Sequence, residues 1–264
     1  MLTKDNLLQS CRVIFDITFR QTILGKKTVL MLILAFLPVL IAIYYRLSGR
    51  ASVISPEQAL SHIMVFFLLF LSILVALFYG TAIVADEIDN KTIPYIFTRP
   101  VRKYLIVIGK FAAYFLGAFL VLIPPMLITF LLIATDGRMS TDFALSLCLF
   151  SKQFCVIIAS LIVYGAIFTF FGARLRFPVV FGLMLAFGWE KITLLVPGIV
   201  RKFSVAHYLL SAFPKDPAMQ KLIDEMSQGA TSGTVPSIIV LSAITIVFLG
   251  LAVLTIYRRE YRFE

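Results

Sequence analysis

Long apolar stretches without a charged residue dominate the chain. A helix that crosses a bilayer needs about 20 mostly apolar residues, because the hydrocarbon core is about 30 Å thick. Five uncharged runs approach or exceed that length, and they cover residues 28–45, 64–85, 111–135, 153–173 and 238–257. A shorter run, 177–189, would reach only about 20 Å as a helix. Counted as the fifth span, it brings the predicted total to six transmembrane helices.

An amphipathic helix is predicted before the first span. Between Asp5 and Ile23, polar residues recur on one helical face and apolar residues fall largely opposite. A helix of this kind lies in the membrane interface rather than crossing it. Residues 1–27 are therefore predicted to form an N-terminal interfacial helix.

The segment before the last span, 192–236, shows two further helical patterns. Residues 194–213 are apolar but are broken by Pro197 and Gly198, which predicts a short helix that enters the membrane and returns. Residues 215–229 contain a capping Asp216 and apolar residues at helical spacing. The whole segment is predicted to be re-entrant and amphipathic, on the outer side of the membrane.

Composition and charge agree with a single all-α membrane domain over residues 1–264. Sixty per cent of the residues are hydrophobic, the mean hydropathy is +0.98 and the net charge is +10, a composition that excludes a soluble domain. The larger share of the lysines and arginines falls in segments that are cytoplasmic if both termini are cytoplasmic. The positive charge then serves topology beside anionic lipid, and nucleic acid is not expected as a partner.

Glu190 and Lys191 directly follow the short fifth run. Ionisable groups at membrane depth usually face a bundle interior or a water-filled pathway, so both residues are candidates for a pathway or a gate. In the alternative interpretation, both side chains reach the outer interface beside Trp189, an aromatic residue of the kind found at membrane surfaces.

The most highly charged segment, 86–104, connects the second and third spans and is predicted to be cytoplasmic. Thr92 or Asn90 could cap a short helix there, and Arg99-Pro100 would end it. Ile93, Ile96 and Phe97 give this helix an apolar edge between charged flanks. Such an edge is typical of a docking surface.

The sequence contains no nucleotide-binding motif. Gly25-Lys26 lacks the upstream glycine and the Ser or Thr that follows the lysine in a P-loop, and Gly109-Lys110 is followed by Phe111. Any ATP-driven work would therefore depend on another polypeptide.

The same charged segment resembles the signature of type-2 ABC transporter permeases, the membrane subunits of ABC exporters. The matching residues are Glu87, Thr92, Ile93, Pro100, Arg102, Gly109 and Lys110. The resemblance implies that the 86–104 loop forms a cytoplasmic coupling helix on an ATP-binding subunit, and that residues 172–177 make a second contact. The residues it assigns to ATPase coupling, together with the apolar edge, are Glu87, Thr92, Ile93, Ile96, Phe97, Arg99, Pro100, Arg102, Lys110, Arg174 and Arg176.

Further expectations follow from this resemblance. ATP and Mg²⁺ would bind the partner ATPase, with no cofactor, metal or catalytic residue in this chain. A second copy or a paralogue of the permease would complete the pathway, and the protein would lie in a bacterial or archaeal cytoplasmic membrane.

Two other classes of function remain open. An ion-gradient-driven secondary transporter or channel would more usually show charges at the midplane and a repeat between the halves. An intramembrane enzyme would need convergent acids, histidines or serines, and the predicted spans offer few apart from Glu190. The sequence does not specify a substrate.

Overall fold

The computed structural model describes residues 4–48, 54–89, 103–137, 139, 141–195, 199–214 and 233–258. All regular elements in these ranges are helical. The α-helices are α1 Lys4–Leu24, α2 Lys26–Ser48, α3 Pro56–Phe66, α4 Ser72–Asp89, α5 Lys103–Ala134, α6 Phe143–Arg174, α7 Pro178–Leu183, α8 Glu190–Leu195, α9 Val205–Ala212 and α10 Thr234–Arg258. Two π-helical segments, Phe67–Leu71 and Met184–Trp189, join α3 to α4 and α7 to α8, and a 3₁₀ segment, Ile199–Phe203, precedes α9.

Five helices in the described part of the chain are long and apolar enough to cross a membrane. They are Lys27–Ser48, Pro56–Ile83, Leu105–Ala134, Phe143–Arg174 and Thr234–Arg258. Each contains most of one predicted long span, so the all-helical membrane architecture is confirmed.

The predicted fifth span is part of a longer, three-piece helix that is not among these five. It runs from Pro178 through the π-helical segment to Leu195, a length of about 27 Å. Glu190 and Lys191 therefore lie within this helix rather than beyond its end. The rings of Phe70 and Phe187 meet edge to face at 5.6 Å, so the two π-helical segments are in direct contact.

The second span lies at the centre of the bundle and the last span lies at its periphery. In the most apolar window of each, 83% of Pro56–Ile83 is buried but only 11% of Thr234–Arg258. Close packing of α4 against α6 depends on Gly172, where an added Cβ would lie 2.7 Å from the carbonyl oxygen of Thr81. Small residues at such crossings let helix backbones approach in a membrane, where packing drives association.

Hydrogen bonds attach the third span to its neighbours at two levels. Near the middle, the Tyr114 hydroxyl of α5 donates a hydrogen bond to the Leu161 carbonyl of α6 at 2.7 Å. At the end predicted to be outside, Arg46 of α2 donates to the Leu132 carbonyl and to Thr135 Oγ1, both at 3.1 Å. This guanidinium satisfies a carbonyl in the last turn of α5, where no intrahelical donor remains.

The predicted N-terminal helix is present as α1, and it packs along α5. Thr22 contacts the third span so closely that a Cβ on Gly117 would lie 3.0 Å from its Cγ2. The predicted short helix after Pro197-Gly198 is also present, as α9. The predicted coupling helix over residues 90–100 and the predicted amphipathic helix over 215–229 lie outside the described residues.

Candidate functional site

Two regions contain the predicted site residues for which the structure describes side chains. The first is the end of the bundle where α4 ends, α5 begins, and α6 passes to α7 through Leu175–Phe177. The second surrounds Glu190, at the opposite end of the three-piece helix.

Lys110 is buried at the first end, between α5 and α4. Its side chain is 4% exposed, and Nζ donates to the Ile83 carbonyl at 3.4 Å. Among the predicted coupling residues, Lys110 therefore connects α4 and α5, the two helices that flank the 90–102 segment. A role in coupling would pass through α4 rather than through direct contact with a partner.

Arg174 and Arg176 are exposed at the same end. Arg174 ends α6, and Pro178 occupies the first turn of α7, so the connection between the two helices is very short. Pro178 favours this start because its fixed φ suits a first helical turn and its missing N–H is not needed there. Arg176 lies over the Phe177 ring, with its Cζ 5.6 Å from the ring centroid.

The other predicted coupling residues are not described at side-chain level. The backbone of Glu87 belongs to α4. Residues Thr92, Ile93, Ile96, Phe97, Arg99, Pro100 and Arg102 lie outside the described residues.

Glu190 is buried against the beginning of α9. Its side chain is 2% exposed, and its carboxylate accepts hydrogen bonds from the Ser204 hydroxyl, the Val205 N–H at 3.2 Å and the Ala206 N–H at 3.1 Å. The first N–H groups of a helix have no intrahelical acceptor, and the positive end of the helix dipole favours a carboxylate there. Glu190 thus acts as a long-range cap for α9.

Neighbouring side chains strengthen this attachment. Ser204 Oγ accepts from the His207 N–H at 3.4 Å and so forms the ordinary N-cap of α9. Trp189 donates through Nε1 to the Phe203 carbonyl at 3.4 Å. The fully buried Tyr164 of α6 lies close to the Glu190 carboxylate. We define the Glu190 cluster as Tyr164, Trp189, Glu190, Phe203 and Ser204.

Lys191 does not share the position of Glu190. It is half-buried, whereas the adjacent carboxylate points into the bundle. The structure therefore separates the two predicted pathway candidates: Glu190 holds α9, and Lys191 retains access to the surface.

A positive charge is buried close to the Glu190 cluster. Arg201, in the 3₁₀ segment, is 1% exposed. In the described part of the chain, no group of three or more His, Cys, Asp or Glu residues is arranged to hold a metal ion.

Sequence reasoning missed Tyr164 and Ser204. Ser204 could have been predicted from the sequence, because a serine directly before an apolar helical stretch is an N-cap signal. Tyr164 carried no such signal, since it is one aromatic residue within a long apolar run.

One protein family matches most of the helical bundle. A family model described as ABC-2 family transporter protein matches residues 26–189, from the start of α2 to the residue before Glu190. No curated protein gave a match. The matched region is more than half of the chain and includes both predicted contact loops. The chain therefore belongs to the ABC-2 family of transporter proteins.

Proposed function

We propose that the chain is the permease subunit of an ATP-binding-cassette exporter, which forms the translocation pathway and is driven by a separate ATPase subunit. The observation that carries this proposal is the family match over residues 26–189. That region contains the charged 86–104 segment and the 172–177 loop, the two places where an ATPase is expected to bind. The chain itself has no nucleotide-binding motif, so ATP and Mg²⁺ would be held by the partner.

The packing at this end of the bundle supports a mechanical route for coupling. Lys110 joins α5 to α4, and Gly172 brings α6 against Thr81 of α4. A force applied to the 86–104 segment would enter α4 and α5, and these contacts would pass it to α6. Because α4 belongs to the most buried span, its displacement would move the centre of the bundle.

The first test is co-expression of the full chain with a candidate ATP-binding subunit. We expect a stable complex that contains two permease chains and two ATPase chains and hydrolyses ATP in reconstituted vesicles. The mass of the complex and its hydrolysis rate measure this. Purification of the permease without the ATPase, together with transport driven by an ion gradient alone, would instead establish a secondary transporter.

The proposed orientation has its own test. A reporter fused after Glu264 should be cytoplasmic, and a reporter inserted near Arg138 should be exterior, because basic residues favour the cytoplasmic loops. Cysteine accessibility in intact cells can check both positions. Finding the two reporters on the same side would contradict the topology with both termini cytoplasmic and an even number of spans.

Within this proposal, Glu190 connects the fifth span to the segment before the last span. The carboxylate joins α8 to α9, and α9 packs on α10 and on α6. Rocking of the three-piece helix would therefore carry α9 with it. This gives Glu190 the role of a clamp within a gate rather than that of a charge lining the pathway.

A further inference from the structure

A small polar pocket lies where α3 and α6 begin, at the end of the bundle predicted to be exterior. One face of α3 supplies Glu57 and Ser61, and one face of α6 supplies Ser146 and Gln153, with Thr141 closing the gap between them. The spacing explains the convergence: Glu57 and Ser61 are four residues apart, and Ser146 and Gln153 are seven apart, so each pair shares a helix face. The pocket has room for about one water-sized group.

Gln153 is the unusual member of this pocket. Its side chain is 4% exposed, and its Oε1 is buried with no hydrogen-bond partner in the described part of the chain. A buried amide oxygen without a donor destabilises the folded state. Its retention in the lining of a pocket points to a ligand that donates a hydrogen bond.

Hydroxyl groups in the pocket also present acceptors. Ser146 donates its proton to the Asp142 carbonyl at 3.1 Å, and Thr141 donates to Glu57 Oε1 at 3.4 Å. A hydroxyl has a single proton and two lone pairs, so both oxygens keep lone pairs for another donor. Because these lining groups present lone pairs, they favour a ligand that donates several hydrogen bonds and accepts none.

We propose that this pocket binds a primary ammonium group. An ammonium has three N–H donors and no acceptor, which matches the carboxylate of Glu57, the amide oxygen of Gln153 and one hydroxyl. Its size is close to that of the one water-sized group for which there is room. Buried apolar side chains beside the polar groups, Leu60 and Phe150, suit the carbon chain that carries the nitrogen.

The ammonium could belong to a phosphatidylethanolamine headgroup or to a soluble amine. The position of the pocket suits a headgroup, because it lies where α3 and α6 begin, at the end of the bundle predicted to be exterior.

The test uses the purified full chain in nanodiscs of phosphatidylcholine, with or without phosphatidylethanolamine of the same acyl chains. Hydrogen exchange of the amides in 57–61 and 146–153 reports occupation of the pocket. A parallel series in phosphatidylcholine adds ethylamine, tetramethylammonium or sodium at equal ionic strength. We expect protection from phosphatidylethanolamine or from ethylamine, and none from the trimethylated headgroup or tetramethylammonium, which have no N–H donors.

Two variants and one matched control make the result specific. Gln153→Leu keeps a side chain of similar size and removes the unpaired oxygen, so the fold should survive. The apparent affinity for the ammonium should fall by about tenfold or more, as expected for a lost hydrogen bond to a charged group. Ser146→Ala should also weaken binding. Ser160→Ala is the control, because Ser160 is a buried serine of the same helix that bonds a backbone carbonyl and does not line the pocket.

Each outcome decides the proposal. Protection by phosphatidylethanolamine alone assigns the ammonium to a lipid, and protection by ethylamine alone assigns it to a soluble amine. Equal protection by sodium would make this a metal-cation site and overturn the proposal. Protection that is the same in every condition, or unchanged by Gln153→Leu, would mean that the pocket holds only water.

Discussion

Glu190→Ala is expected to make local opening of α9 about a hundredfold more frequent. The substitution removes the acceptor of the Ser204 hydroxyl and of the Val205 and Ala206 N–H groups. Each buried donor left unpaired costs about 1 to 3 kcal/mol, and a total of about 2.7 kcal/mol corresponds to a hundredfold change in an equilibrium constant. Hydrogen exchange of residues 205–212 measures the opening directly.

A graded series of variants separates the hydrogen bonds from the charge. Glu190→Gln retains one acceptor oxygen but not the carboxylate, so we expect a smaller loss of protection, about tenfold. Asp142→Ala is the matched control, because Asp142 is an acidic residue at the start of α6 whose side chain makes no capping hydrogen bond. Protection of α9 should be unchanged in that variant.

The transport assay tests whether the clamp matters for function. If Glu190 carries α9 with the three-piece helix, Glu190→Gln should change the rate of ATP-driven transport while the amount of folded complex stays nearly the same. Native transport by a variant whose α9 exchanges faster would contradict the clamp and leave Glu190 with a role in folding alone.

The positions of the long spans could be read from the sequence, but their ends could not. Each predicted span was a run without a charged residue, whereas the helix extends beyond that run at one or both ends. The second span was predicted from Met64, but α3 begins at Pro56, where Ser55 and Gln58 form a reciprocal capping box. The third was predicted from Phe111, but α5 already begins at Lys103. Lys110 did not interrupt that helix, because its ammonium finds an acceptor on α4.

The Glu190 cluster could not be predicted because its contacts are distant in sequence. A charged pair after a short apolar run suggested either a membrane pathway or a reach to the surface, and both interpretations treated Glu190 and Lys191 together. In the structure Glu190 meets Ser204, a contact that requires the chain to reverse between α8 and α9. Local patterns of hydrophobic and polar residues contain no information on which carboxylate would meet that helix end.

Phe97→Ala is expected to weaken binding of the ATPase subunit by about thirtyfold. Phe97 lies in the predicted coupling segment, where an apolar edge between charged flanks suits the centre of an interface. Central aromatic anchors commonly cost about 2 kcal/mol or more when truncated, and that free energy corresponds to the thirtyfold loss. A detergent pull-down with the cognate ATPase, repeated over a range of ATPase concentrations, measures the change.

Arg102→Glu tests the charged rim of the same segment. Reversal of this charge should release the ATPase or uncouple its hydrolysis from transport, because an exposed cation at a rim steers association and register. If Arg102 serves only topology, the variant should retain both activities.

Matched controls lie at the opposite end of the bundle. Tyr44→Ala removes an aromatic side chain that is 74% exposed there, and Lys202→Glu reverses an exposed charge at the same end. Neither should alter ATPase binding, and all four variants should insert normally into the membrane. The assay that decides is substrate-stimulated hydrolysis in reconstituted vesicles.

If Phe97→Ala and Arg102→Glu both keep the partner and the stimulation, the ATPase contact lies elsewhere on the chain. The exposed Arg174 and Arg176 of the 172–177 loop then become the residues to change, because they lie at the end of the bundle where α4 ends and α5 begins.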